Sequence, residues 1–224
     1  MFNITPSWQS TFPNAHVGVL VIRNTSNPAH HAELEKQKTE LEERLRSQFA
    51  GQDRVAIANH PILQVYGEYY KRFKKTYHVQ LQLESIVLKG KSIPSVASLV
   101  KCMFMAEVKN MLLTAGHDLD KLQLPLTLNV TQGTESYTLM RGETQTVKAG
   151  DMAISDGRGI ISNIIYGPDQ RTQITSSTRN VVFTVYAPEG IDESLITQHL
   201  EDMRDFVMVI APEAAVQTLE VYGN

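Results

Sequence analysis

LVKCMFMAEVKNMLLTAGHDLDKLQLPLTLNV (99–130), with GTESYTL (133–139), KAGDMAISDG (148–157) and TQITSSTRNVVFTVYAP (172–188), decides the fold. Within it the apolar period changes from that of a helix to that of short strands. Val96, Leu99, Val100, Met103, Phe104, Val108, Met111 and Leu112 predict a buried helix that begins at Pro94. Gly116 with Asp118 and Asp120 predicts a turn. Strands are then expected over 122–130, where Pro125 marks an edge or a start, and over 137–140, 151–155, 160–166 and 180–186. One helical segment followed by many short strands reads as an α+β chain.

Upstream, HVGVLVIR (16–23) is a nearly continuous apolar run, the pattern of a central strand covered on both faces. Asn27 and Pro28 suit a helix N-cap and first turn, ahead of a surface helix over 30–49. A second amphipathic helix is expected over 59–76, with Ile62, Val65, Tyr66, Tyr69, Tyr70 and Phe73 on its core face. A short third helix, carrying Val79, Leu83, Ile86 and Val87, would end at Gly90. The first 14 residues read as a loosely held arm on which Trp8 docks, and residues 15–224 as a single domain. Downstream, Leu195, Ile196, Leu200, Met203, Phe206 and Val207 predict a C-terminal helix that covers a sheet face.

Composition limits the chemistry. Hydrophobic residues make up 42% of 224, enough for a sizeable core. The single cysteine, Cys102, excludes disulfides and cysteine-rich zinc sites and fits a reducing, cytoplasmic setting. No leader pattern and no long uncharged apolar run points to export or to a membrane. Seven scattered histidines form no HExxH pair, and no GxxxxGK[ST] loop occurs, so no metal and no cofactor is expected. The net charge of −3 excludes a broadly basic surface. One basic cluster stands apart: Lys71, Arg72, Lys74, Lys75, Lys89 and Lys91 face only Glu84 within 21 positions. They could meet nucleic-acid phosphates, or complement helix C-termini. The polar run GPDQRTQITSST (167–178) could line a small concave site, with hydroxyls from Thr172, Thr175 and Thr178 and a charge from Asp169 or Arg171, or be a polar loop.

In order and spacing, LVKCMFMAEVKNMLLTAGHDLDKL, GTESYTL, DMAISD and STRNVVFTV resemble the B3/B4 domain of the beta subunit of bacterial phenylalanyl-tRNA synthetase, over residues 60–210. The resemblance implies a layered α+β fold with β-sandwich-like sheets covered by helices. It also implies an editing module, which hydrolyses a wrongly attached tyrosine from a tRNA end by positioning substrate and water. The family's site residues fall unevenly on this chain. Its aspartate falls on Asp118, its histidine on Ala115 with His117 two positions away, and its helix asparagine on Phe104. Its paired glycines fall on Ser162 and Asn163, and its acidic pocket residue on Asp169 or Gln170. Glu135, Thr178 and Asn180 retain the family pattern.

The polar run and the resemblance together give His117, Asp169 and Thr172 as catalytic candidates, and Ala115, Ser162, Asn163, Gln170, Thr175 and Thr178 as pocket candidates. The implied partner is a tRNA acceptor end or an aminoacyl-tRNA. The alternatives are a pocket for a free amino acid or similar metabolite, and an interaction domain with a vestigial pocket.

Overall fold

The structure, a computed structural model, describes residues 2–223. It opens with β1 (Phe2–Ile4), α1 (Pro6–Thr11) and β2 (His16–Arg23). Four helices follow in a mainly helical stretch, α2 (Ala32–Gln48), α3 (Arg54–Ala58), α4 (Pro61–Lys71) and α5 (His78–Val87). Then come α6 (Ser98–Asn110), β3 (Leu113–Asp118) and β4 (Leu126–Val130), with cis Pro125 just before β4. A small hairpin pairs β5 (Ser136–Thr138) with β6 (Thr144–Thr146). The remaining elements are β7 (Met152–Asp156), β8 (Gly159–Asn163), β9 (Gly167–Pro168), β10 (Val181–Ala187), α7 (Glu193–Ile210) and β11 (Ala215–Tyr222). The architecture is α+β, as the change of period predicts.

Two larger sheets form, with strand orders β11-β2-β10-β3 and β1-β4-β7-β8-β9. The first is antiparallel throughout and places β2 between β11 and β10, where its apolar run is buried. One face of this sheet meets the helices: α7 packs on β2 and β11, and a Cβ on Gly18 would sit 2.7 Å from Ile196 of α7. The other face meets the second sheet, to which the Tyr186 hydroxyl is joined through Ser162 at 2.6 Å. Residues two apart on a strand share a face. On β3 this puts Thr114 and Gly116 toward the helices, and Ala115 and His117 toward the inter-sheet core.

Tyrosines of α4 and of the residue before α5 tie the layers together. Tyr66 donates to the Tyr186 carbonyl at 2.6 Å, Tyr69 to Asp151 Oδ1 at 2.8 Å, Tyr70 to the Ile164 carbonyl at 2.8 Å, and Tyr77 to the Met111 carbonyl at 3.0 Å. Each ring is buried, and each hydroxyl satisfies a carbonyl or carboxylate that water cannot reach.

Several expectations need correction. The first residues are not a loose arm, since β1 pairs in parallel with β4, while Trp8, on α1, docks on the body as expected and is fully buried. Asn27 and Pro28 do not start α2, which begins at Ala32. Asn27 is instead buried, and its Oδ1 accepts the Leu99 N–H at 2.9 Å, so it caps α6, far along the chain. Pro94 does not open α6, which begins at Ser98. Gly116 lies in β3 and not in a turn, because a Cβ there would sit 2.9 Å from Ile174 Cδ1. The turn is a 3-10 segment over Leu119–Lys121. The terminal helix is followed by β11, which pairs with β2 and whose period-two pattern is broken by a bulge at Gln217, so the sequence pattern does not predict it.

Candidate functional site

A cleft of about 390 Å³ opens between α6, β3 and the segment that follows β8. Val100, Met103 and Phe104 of α6 form one wall, and Ile165, Tyr166 and Ile174 face them. Gly116 makes room for Ile174 to fold over β3. The polar groups of the lining are few, namely His78 and Gln82 at one end with Glu107 and Thr114 beside the sheet. Phe104, the position where the resembling family carries asparagine, is therefore on the cleft wall. Sharing His78, Gln82 and Phe104, a second lobe of about 400 Å³ continues along α5 to Lys91. At the opposite end the cleft meets a shallow depression through Tyr166, where Lys75 Nζ stands 5.5 Å from the Tyr166 ring centre.

Glu107 is 1% exposed. Its Oε1 accepts the Thr114 N–H at 2.9 Å, and burial pushes its carboxyl up to about 8 against that bond. Thr114 Oγ1 is 2.8 Å from His199 Nε2. Asn110 donates to Asp202 Oδ2 at 2.8 Å, which turns its amide nitrogen toward His199 Nδ1 as well, at 3.2 Å. The His199 ring also hydrogen-bonds the Ala106 carbonyl, so α6 and β3 together hold it in place. Burial holds His199 down to about 4 and so keeps it neutral at neutral pH. His78 is lowered in the same direction by burial. Tyr70 spends its proton on the Ile164 carbonyl, so His78 Nδ1, 3.3 Å away, carries the hydrogen and Nε2 is the basic nitrogen.

The residues expected from sequence lie elsewhere. His117 Nδ1 is 2.7 Å from Thr172 Oγ1, which donates a very short hydrogen bond to Asp169 Oδ1. Arg171 reaches Asp169 at 3.4 Å and binds Asp156 in two-pronged fashion at 2.9 and 3.0 Å. His117, Thr172 and Asp169 are thus brought together, but on the inter-sheet side, facing away from the cleft. Burial, with the Arg171 charge, lowers His117 to about 3, while burial raises Asp169. Ala115 lies on that same inner face. Ser162 is engaged by Tyr186, and Asn163 Oδ1 accepts from Tyr137 at 3.1 Å and from the Tyr166 N–H at 2.9 Å. Gln170 is exposed, Thr175 donates its N–H to Thr178 Oγ1 at 2.9 Å, and Thr178 donates to Asp118 Oδ2 at 2.8 Å. Asn180 in turn clasps Asp120 at 2.8 and 3.0 Å, so the Thr178 and Asn180 pattern closes the turn after β3. Of the polar run 167–178, it is Gly167, Pro168 and Ile174 that line the cleft.

The basic residues divide into two groups. Lys71, Arg72, Lys74 and Lys75 are exposed at the C-terminal end of α4, where Lys71 pairs with Glu68 at 3.5 Å and Arg72 lies over the Tyr69 ring at 5.0 Å. Lys89 and Lys91 are exposed beyond the far end of α5, about 15 Å away by helix length. Glu107 and Thr114 were not singled out from sequence. The available signal was a carboxylate set three and four residues from Phe104 and Met103, on an apolar helix face.

Fold and cleft together define an α+β module with an open, mostly apolar cleft. The chain belongs to the B3/4 domain family, whose match covers residues 63–203. Among solved structures it is similar to an N-terminal fragment of the phenylalanyl-tRNA synthetase beta-subunit from Pyrococcus horikoshii, with a TM-score of 0.52 and 11% identity. That likeness covers 100% of this chain and 54% of the other, so the chain spans about half the length of the structure it matches. At that identity the shared property is the fold. No curated protein matches the sequence. Among the described residues, no helix is long and apolar enough to cross a membrane.

Proposed function

We propose that the protein is a synthetase-related pocket module that receives an apolar or aromatic aminoacyl group, carried on a tRNA end, in the cleft between α6 and β3. The observation that carries this reading is the cleft itself. Its size lies in the range of small-molecule sites, its walls are apolar, and it opens beside Lys75 at one end. The acyl side chain occupies the cleft while Lys71, Lys74 and Lys75 meet acceptor phosphates at the mouth, a contact that weakens as salt rises. For hydrolysis, His78 is the lining group able to take a proton from an attacking water, and the ribose oxygen leaves with a proton. The second reading is a non-catalytic site for a free amino acid or similar metabolite. It is favoured by the placement of Glu107 and Thr114 deep beside an apolar wall.

One comparison tests both. Tyrosyl-tRNA bearing the phenylalanine anticodon is incubated with the wild type, with Val100→Phe, which fills the cleft, and with a Lys71/Lys74/Lys75→Ala variant. The proposal expects ester loss above background in the wild type, none in Val100→Phe despite retained low-salt tRNA binding, and weaker, less salt-sensitive tRNA binding in the lysine variant. No ester loss and no low-salt tRNA retention by the wild type overturns it. Free amino-acid binding under those conditions then supports the second reading.

A further inference from the structure

We propose that Glu107 is the polar anchor of the cleft and binds the ammonium group of an amine-bearing ligand, with an α-amino acyl compound as the class that the cleft fits. This rests on the reading of the cleft as a ligand site.

Among the described residues every other buried carboxyl side chain is spoken for, Asp118 by Thr178 and the Asp120 N–H and Asp169 by Thr172 and Arg171. Glu42 takes Arg46, Ser92 and the Ile93 N–H, Glu84 takes Arg54 and Gln80, Asp202 takes Lys109 and Asn110, and Asp156 takes Arg171. Asp151 receives Tyr69 and the Ile165 N–H. Among the described residues, Glu107 is the one carboxyl with a buried oxygen, Oε2, that has no hydrogen-bond partner. It is also the carboxyl in the cleft lining. A buried acceptor left unmade carries its full desolvation penalty, and a ligand donor removes it.

The surroundings select the sign of the ligand group. Thr114 from β3 stands against Glu107, with His199 of α7 behind Thr114 and His78 at the end of the cleft. The buried hydroxyls of Tyr66 and Tyr70 from α4 and of Tyr77 just before α5 are close enough to feel its charge but do not line the cleft. The three tyrosine protons are committed to the carbonyls of Tyr186, Ile164 and Met111. Among the described residues the cleft lining itself holds no lysine or arginine, so the cation that would pair with an ionised Glu107 there comes from the ligand. An ammonium brings up to three donors to the unpartnered Oε2. Its apolar body then lies along Val100, Met103 and Ile174. The empty carboxyl is held protonated near neutral pH by burial. Binding an ammonium therefore forms the carboxylate–ammonium pair and passes the Glu107 proton to the buffer.

The test uses amides, which resist hydrolysis: L-phenylalaninamide with 3-phenylpropanamide and 2-hydroxy-3-phenylpropanamide, and L-leucinamide with 4-methylpentanamide. Calorimetry is run at pH 6, where the amine of each amide is already almost fully protonated before binding, in buffers of different ionisation enthalpy, on the wild type and on Glu107→Gln, which keeps an acceptor for the Thr114 N–H. The wild type is expected to prefer each amine over its des-amino partner by at least about tenfold, with close to one proton released per amine bound. In Glu107→Gln the preference and the proton release vanish, while des-amino binding stays within about a factor of two. If the variant does not fold, the wild-type preference and proton release decide alone. Equal wild-type binding of amine and des-amino amides overturns the anchor while leaving the cleft reading standing. Tight binding of the hydroxy amide without proton release, or a preference that survives in Glu107→Gln, also overturns the anchor. Binding of no amide at all removes the cleft reading and the anchor with it.

Discussion

His117 shows how far one residue's role depends on the face it takes. Its Nδ1 is tied to Thr172, and the ring is sealed between the sheets. Burial and the Arg171 charge lower its pKa from 6.5 to about 3. Between those values the unfolded chain binds a proton that the folded chain does not, so this group makes stability fall as pH falls from 6.5 toward 3. Asp151 acts oppositely. Burial raises it to about 7, and stability is lost as pH rises from its ordinary value toward 7. Because the two partly cancel in the raw curve, a variant isolates the histidine. His117→Asn, which offers an amide donor to Thr172, is expected to reduce the pH slope of unfolding free energy between pH 4 and 6 by about 1.4 kcal/mol per pH unit. Denaturant titrations at pH 4, 5 and 6 measure this, and an unchanged slope would show that His117 protonates in the native state. From sequence His117 was visible as a polar residue beside Asp118, but its face was not. On β3 a shift of one residue exchanges Ala115 and His117 for Thr114 and Gly116 in the cleft.

At the level of elements, periodicity carried the helices and the long strands, while some punctuation residues misled. The tyrosine stripe of α4 and the apolar run of β2 read directly because each faces a continuous core. Gly116 looks like a turn former yet serves a close approach by Ile174, whereas Asp118 does open the turn, its Oδ1 accepting the Asp120 N–H at 3.1 Å while its Oδ2 accepts from Thr178. Asn27 does cap a helix, but the helix begins 71 residues later, a pairing that only tertiary structure makes. The α4–α5 turn holds a residue whose conformation and charge can be separated. Lys74 is exposed and takes a left-handed φ of 57°, which costs a side-chain-bearing residue about 1 kcal/mol relative to glycine. Lys74→Gly is expected to raise the melting temperature by about 2–4 °C. Under the tRNA proposal it also weakens RNA retention, so stability and binding move in opposite directions. A lower melting temperature would count against the strained turn.

For the whole molecule, the cleft exists because one sheet is covered by α6 and α7 on one side and by the second sheet on the other. The layering followed from the apolar patterns and the family resemblance. The cleft's polar floor did not, since Glu107, Thr114 and His199 come from α6, β3 and α7 and meet only when those elements pack. The N-terminal segment belongs to this assembly as well. Thr5 donates its N–H to the Leu128 carbonyl at 3.1 Å, and Trp8 is wholly enclosed. Trp8 is also the chain's single tryptophan. Its emission therefore reports one joint, the seat of the first helix on the body, with no second indole to dilute the signal. Chemical unfolding followed by that emission and by far-ultraviolet circular dichroism is expected to give coincident midpoints, as a joint built into the common core requires. An earlier red shift would mean that the segment peels away first. The protein thus carries an intrinsic optical marker at its chain entry, readable without a label or a ligand.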